Sequence, residues 1–233
     1  MIEAFIQQGS TYAGQVDFLI NTIAWLVGVW FLLAQGVFFY LMWAHRAKPG
    51  VNAGYVTGDE EYPKKLIGWA HWGVLACDVL ILVLAVQTWY TIKQDLPPAE
   101  RTIRVIGQQW AWTFVHPGPD GKLDTPDDIA MIDEMHLEAG VLYHYQLQSK
   151  DVLHNFSVPV FRLKQDAIPG RTITGWFEPT ITGEYLVQCA EICGIGHGLM
   201  AARVFLETEA EHVAFNESHS NTQLAATTVA TAR

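Results

Sequence analysis

Cys189-Ala190-Glu191-Ile192-Cys193-Gly194-Ile195-Gly196-His197-Gly198-Leu199-Met200 is the stretch on which the reading of this 233-residue chain turns. It holds two of the chain's three cysteines, a histidine and a methionine, with glycines between the last three of those side chains. Thiolate, imidazole and thioether are soft ligands, the set that selects copper over hard cations. A second histidine, His154, lies 35 positions before Cys189 in Asp151-Val152-Leu153-His154-Asn155-Phe156-Ser157-Val158-Pro159.

Two cysteines and two histidines also match the ligand count of a structural zinc. The spacing lacks the helical His-x-His partner of such sites, and Met200, three residues after His197, brings a thioether that zinc sites do not use. One distant histidine followed by a Cys…His…Met loop is the layout of cupredoxins. A blue-copper site needs a single cysteine. The second, four positions on, lets two thiolates bridge two metal ions, each taking one histidine and one weak ligand.

Around this loop the chain is short-stranded and β-branched. The runs are 102–107, 130–132, 141–147, 172–177, 183–188 and 202–206, with Gly/Pro turns between them. That pattern predicts a β-sandwich or barrel over 95–215. From 95 to 233 there are 18 acidic and 9 basic residues, so nearly all of the chain's net charge of −10 lies here. Residues 216–233, rich in Ser, Thr, Ala and Asn, read as a polar, frayed tail. The stretch 117–128, Pro117-Gly118-Pro119-Asp120 through Asp127-Asp128, is acidic and turn-rich. It lacks the EF-hand ligand order and reads as a hairpin loop near Trp110, not a calcium loop.

Upstream the composition changes. Residues 18–43 contain no charge, and 66–92 form a second apolar run with Trp69, Trp72, Trp89 and Tyr90 near its ends. Each is long enough as a helix to cross a hydrocarbon core of ~30 Å. Arg46, Lys48, Lys64 and Lys65 all fall in the intervening loop, 44–65, which the positive-inside rule makes cytoplasmic. The segment 1–17 and everything after about Lys93 are then on the outer face, periplasm or intermembrane space. His71 and Asp78 interrupt the second span on one helical face, beside Cys77. Ionisable groups at that depth face a partner helix or a water path, and either requires a larger membrane subunit alongside.

The whole chain is 50% hydrophobic and 16% charged, against roughly 25% charged in soluble proteins. Its acidity excludes nucleic acid as a partner. Three cysteines make no disulfide framework, and no Cys-x-x-Cys-His occurs, so no c-type haem is expected on this chain.

The residues Cys189-x-Glu191-x-Cys193-x-x-x-His197-x-x-Met200 resemble the signature of the dinuclear copper centre (CuA) in subunit II of the haem–copper cytochrome c oxidases. Asp151-Val152-Leu153-His154, Val158-Pro159 and Asp166-Ala167-Ile168-Pro169-Gly170-Arg171 are similar to that family's upstream segments. Gly107-Gln108-Gln109-Trp110-Ala111-Trp112 resembles its aromatic electron-entry stretch. The resemblance implies a two-helix transmembrane hairpin followed by an all-β, Greek-key, cupredoxin-like domain. It implies that Cys189 and Cys193 bridge both coppers, that His154 and His197 are terminal ligands, and that Met200 is an axial thioether. Glu191 then contributes its backbone carbonyl, with its side chain facing a magnesium or manganese ion at the boundary with subunit I. Trp110 receives the electron from cytochrome c, Asp151 matches a docking carboxylate, and Phe156, Val158 and Leu199 form the apolar shell. The partners implied are the haem-bearing subunit I, further oxidase subunits, cytochrome c and the bilayer.

Gln108 and Ala111 depart from the family's usual His and aromatic residue, which leaves the packing around Trp110 open. The second span lacks a Trp-Thr-x-x-Pro that many members carry. A carboxylate at the mouth of a proton channel falls to Glu60 or Glu61, with Glu61 preferred. The rival readings are the CuA subunit of a nitric oxide reductase, a quinol-oxidase subunit without copper, and a zinc-stabilised membrane-anchored binding module.

Overall fold

The computed structural model describes residues 2–52 and 54–219; residues 220–233 of the expected tail lie outside them. Two bodies are distinct: 17–89, and 90 onward together with the segment before 17.

The first body is a helical hairpin, α1 (Ala13–Ala44) and α2 (Glu61–Trp89). Both helices are longer at their starts than the apolar runs, because caps and not hydropathy set a helix end. Glu60 accepts the N–H groups of Thr57 (3.0 Å) and Gly58 (2.9 Å) and the Thr57 hydroxyl (3.1 Å), turning the chain into α2. Glu61 in the first turn meets Lys65 one turn on, at 2.7 Å. Both candidate channel carboxylates therefore have local structural roles at the helix start. Inside the hairpin the Trp30 ring lies on Gly73, where a Cβ would stand 2.9 Å from it, and its indole N–H reaches Cys77 Sγ at 3.4 Å. Large apolar side chains face outward along both helices. A continuous surface of that kind is stable against lipid or protein, not water.

The second body is a sandwich of ten strands: β1 (Arg101–Gln108), β2 (Ala111–His116), β3 (Ile129–Ile132), β4 (Glu134–Glu138), β5 (Tyr143–Ser149), β6 (His154–Val158), β7 (Leu163–Ala167), β8 (Ile173–Phe177), β9 (Gly183–Cys189) and β10 (Ala201–Glu207). They form two five-stranded sheets, in the orders β3-β2-β1-β5-β8 and β4-β10-β9-β6-β7. The pairs β1/β5 and β4/β10 are parallel and the other pairs antiparallel, so the chain crosses repeatedly between sheets, as in a cupredoxin-like sandwich. Alternate residues point inward, for example Ile103 and Val105 on β1 and Trp112 and Phe114 on β2. Strand β6 is buried at every position, because both its faces are covered.

Three features went beyond or against expectation. The segment before α1 is part of the sandwich: Ser10 bridges to Pro179, Gly9 N–H donates to Val160 O at 2.9 Å, and Tyr12 is buried edge-on to Trp176. The loop 117–128 does join a hairpin, β2 to β3, with Arg104 held to both Asp124 oxygens at 2.9 and 2.8 Å. It is not near Trp110, however. It leaves the opposite end of β2, about 20 Å along the strand. Beyond β10, residues 209–219 are helical (α3): the helix carries buried His212 and Phe215, and its last turn takes in 216–219, the start of the stretch expected as a tail.

Candidate metal centre

The stretch 189–200 is the connection between antiparallel β9 and β10. Its ends are pinned together: Gln188 pairs with Ala201, and Cys189 N–H donates to Met200 O at 3.1 Å. Between those ends the chain turns through Gly194, whose φ of +125° a side chain rarely adopts, and a 3-10 turn over His197–Leu199. From the neighbouring strand, β6 contributes His154, and Ala190 N–H is held by Asn155 O at 3.1 Å. One loop and one strand start thus bring together residues 35 positions apart.

Cys189 Sγ and Cys193 Sγ are 3.7 Å apart. A disulfide would require ~2.05 Å, so these are two separate sulfurs. Two sulfurs each ~2.3 Å from a shared metal at a tetrahedral angle would stand roughly this far apart. His154 Nδ1 is 3.9 Å from Cys189 Sγ, and His197 Nδ1 is 3.7 Å from Cys193 Sγ. Met200 Sδ is 3.7 Å from Cys193 Sγ, and the Glu191 carbonyl oxygen is 3.2 Å from Cys189 Sγ. The ligand atoms of His154, Cys189 and Cys193 all lie within 4.8 Å of one another. His154, both cysteines and Met200 are buried.

Asp151 fixes the orientation of His154. Its Oδ1 accepts from His154 Nε2 at 2.8 Å, which leaves Nδ1 facing the sulfurs. Asp151 also accepts the N–H groups of Gln109 and Val152, each at 2.7 Å. Burial works against its charge, but these hydrogen bonds hold the carboxyl below the usual range. The ring of His154 lies over Gly107, where a Cβ would stand 3.1 Å away, and edge-on to Trp112 at 6.0 Å. Burial, and then the neighbouring Cys189 thiol, push the Cys193 thiol up to about 11. A thiol that resists ionisation beside a second sulfur needs a cation to become a thiolate, as a metal supplies. Five side-chain donors and a carbonyl exceed the four of one tetrahedral zinc. The donor set fits a soft metal.

Trp110 is 39% exposed, and its other face lies against the metal loop. A Cβ at Gly196 would come within 2.5 Å of its ring, so glycine there is required. Its indole N–H donates to Cys193 O at 3.3 Å, and Gln109 Nε2 donates to the same oxygen at 2.7 Å. Gln109, next to Trp110, is the functional neighbour that sequence reasoning passed over; its adjacency was the available signal. Phe156 and Val158 are fully buried, but Leu199 is 88% exposed and belongs to the rim, not the shell, because the 3-10 turn points it outward. The Glu191 side chain is exposed.

A membrane-anchored β-sandwich whose β9–β10 loop gathers thiol, imidazole and thioether donors defines the class. Residues 101–206 match the family model for the cytochrome c oxidase subunit II periplasmic domain. The alternative cytochrome c oxidase subunit 2 of Bradyrhizobium diazoefficiens is 32% identical over 230 residues, 89% of this chain and 81% of that protein. Cytochrome c oxidase subunit 2 of Cereibacter sphaeroides is 25% identical, covering 91% of this chain and 78% of that one. Among solved structures, the periplasmic domain of subunit II of cytochrome oxidase from Bradyrhizobium japonicum is 29% identical, with a TM-score of 0.49, over 55% of this chain and 99% of that one. The chain belongs to the cytochrome c oxidase subunit II family. It is a membrane-anchored part of a multi-subunit oxidoreductase, with its C-terminal domain periplasmic, and the family implies copper.

Proposed function

We propose that this chain is the electron-entry subunit of its oxidase, taking electrons from cytochrome c at Trp110 and passing them towards the haems of subunit I. The observation that carries this reading is the hydrogen bond from the half-exposed Trp110 to the carbonyl of Cys193, one of two sulfurs 3.7 Å apart. We assign His154, Cys189, Cys193, His197, Met200 and the Glu191 carbonyl as the ligands of a dinuclear copper. The two thiolates would be shared, each metal taking one imidazole and one of the weaker donors. Bound there, a copper pair supplies a one-electron relay.

The chain's own residues do the rest. The pinned ends of the loop and the Asp151–His154 bond resist movement of the ligands, which favours a small rearrangement on reduction. Phe156, opposite Cys189 across the β6/β9 pair, and Trp112, edge-on to His154, are fully buried and would keep water from the site. The acidic excess of the outer domain would steer a basic cytochrome c, and that attraction should weaken with salt. The outward Glu191 carboxylate is available to a magnesium or manganese ion at the boundary with subunit I.

Stopped-flow reduction of the purified complex by reduced cytochrome c tests this. Trp110→Ala should slow the reduction while leaving the copper spectrum unchanged. An unchanged rate would contradict entry at Trp110. Turnover of the same complex with oxygen and with nitric oxide identifies the acceptor, and oxygen is the one expected.

A further inference from the structure

Strands β1 and β2 pair as far as Gln108 and Ala111, so Gln109 and Trp110 alone make the turn between them. In so short a connection the flanking strands fix the backbone, and with it the direction of both side chains. Both reach the same atom. Gln109 Nε2 donates to the Cys193 carbonyl oxygen at 2.7 Å, and Trp110 Nε1 donates to it at 3.3 Å. A backbone carbonyl has two lone pairs, and here both are taken. The residue after Cys193 leaves the room for this: at Gly194 a Cβ would stand 2.8 Å from Gln109 Nε2.

The backbone of Gln109 is engaged on the other side of the site. Its N–H donates to Asp151 Oδ2 at 2.7 Å, while Asp151 Oδ1 accepts from His154 Nε2 at 2.8 Å. His154 opens β6, and Cys193 lies in the β9–β10 loop, so no single element holds both. Gln109 joins them through its own covalent frame: its main chain grips the support of the imidazole and its side chain grips the peptide of the thiol.

The direction of the dipoles matters too. Two N–H groups turn their positive ends towards the Cys193 peptide. Donors beside a metal ligand draw electron density from it and favour the reduced, less positive state of the metal. Loss of one donor should move the centre towards its oxidised state.

We propose that Gln109 is a positioning residue for the metal pair, tying the Cys193 peptide to the Asp151–His154 arm and making the centre a better electron acceptor. This rests on the ligand assignment above and adds the residue that couples two of its arms.

The test is a redox titration of the intact purified complex against cytochrome c, read at the copper bands, with paramagnetic resonance of the same samples. Gln109→Met keeps the length of the side chain and removes its donor, and because the residue is exposed the fold should survive. Both coppers should remain. The electron-exchange equilibrium should move roughly two- to tenfold towards oxidised copper, the range of one hydrogen bond, and the copper hyperfine pattern should change. A role in binding cytochrome c alone would alter rates and leave that equilibrium and the hyperfine pattern where they are, and this result would overturn the proposal. Asp151→Asn should shift the equilibrium less in the Gln109→Met background than in the parent, because the link it loosens is already cut. Equal shifts in the two backgrounds would overturn the coupling of the two arms. Absence of a two-copper signal from the unmodified complex would instead sink the ligand assignment beneath it.

Discussion

Both ends of the sandwich gather buried histidines, but they give them different partners. At one end His154 and His197 stand beside sulfur. At the other, His116, His136, His212 and His219 surround Phe215, with the His136 ring stacked on it at 3.9 Å. Strands β2 and β10 run from one end to the other: Trp110 precedes β2 and His116 closes it, while Met200 precedes β10 and Glu207 closes it. At the histidine end Glu207 accepts from His136 at 2.6 Å and from His212 at 2.8 Å, tying α3 to β4 and β10. A carboxylate that has satisfied both imidazoles leaves them committed to each other. At the sulfur end the donors converge without pairing off, apart from the Asp151 bond behind His154. Among the described residues, that convergence is met only there. The contrast sets a structural clasp against the proposed ligand cage, and substitutions at each end should show it.

The largest effect is expected from Cys193→Ser, which should abolish the dinuclear visible spectrum while the β domain keeps its far-UV signature. A surviving two-copper spectrum would show that Cys193 does not bridge. Next, Glu207→Ala should cost roughly 2 kcal/mol of stability, because it removes the acceptor of both His136 on β4 and His212 on α3 and leaves the two imidazoles unmatched. It should leave the copper spectrum unmoved. Thermal unfolding and absorption of the same preparation check both halves.

Acid should also act on the histidine end. Burial, and then the neighbouring histidines, push His116 down to about 3 from its ordinary 6.5. Below about 6.5 the unfolded chain takes a proton that folded His116 refuses, so stability falls as pH falls towards 3. This one group contributes at most about 1.4 kcal/mol per pH unit. Against burial, its two imidazole partners hold Glu207 down to about 2, so its contribution is present above about 4.5 and lost as pH falls through 2. Denaturant titrations between pH 7 and 4 should therefore show a slope that His116→Phe reduces. The smallest effect belongs to the rim. Ile195 is 96% exposed, and Ile195→Ala should change stability by less than about 0.5 kcal/mol, measured the same way.

What was legible in the chain follows from how local the cause is. The cluster at 189–200 stood out because its sulfur and imidazole donors lie within twelve residues and their chemistry is in the side chains. The two helices could be read from apolar runs, but the start of α2 depended on Glu60 and Glu61 at its head and that of α1 on the Ser10–Tyr12 turn before it. Strands β2, β4, β6 and β7 were absent from the runs read as strands; β6, buried at all five positions, has no polar face to alternate with. The binding of residues 9–12 to the sandwich rests on partners some 150 positions away, such as Ser10 Oγ on Phe161 O. Helix α3, whose last turn fell in the stretch read as a tail, left no signal because the pattern that holds it, His212 and Phe215 against Glu207 and His136, is completed by other strands.

The proposed centre is two metals sharing two sulfurs. Metal analysis of the purified full chain, with its visible and paramagnetic resonance spectra, tests this most directly. Two coppers per chain, with one unpaired electron spread over both and a colour that bleaches on reduction, is the predicted result. A colourless protein with one zinc, or a single copper with the signal of an isolated ion, would contradict it.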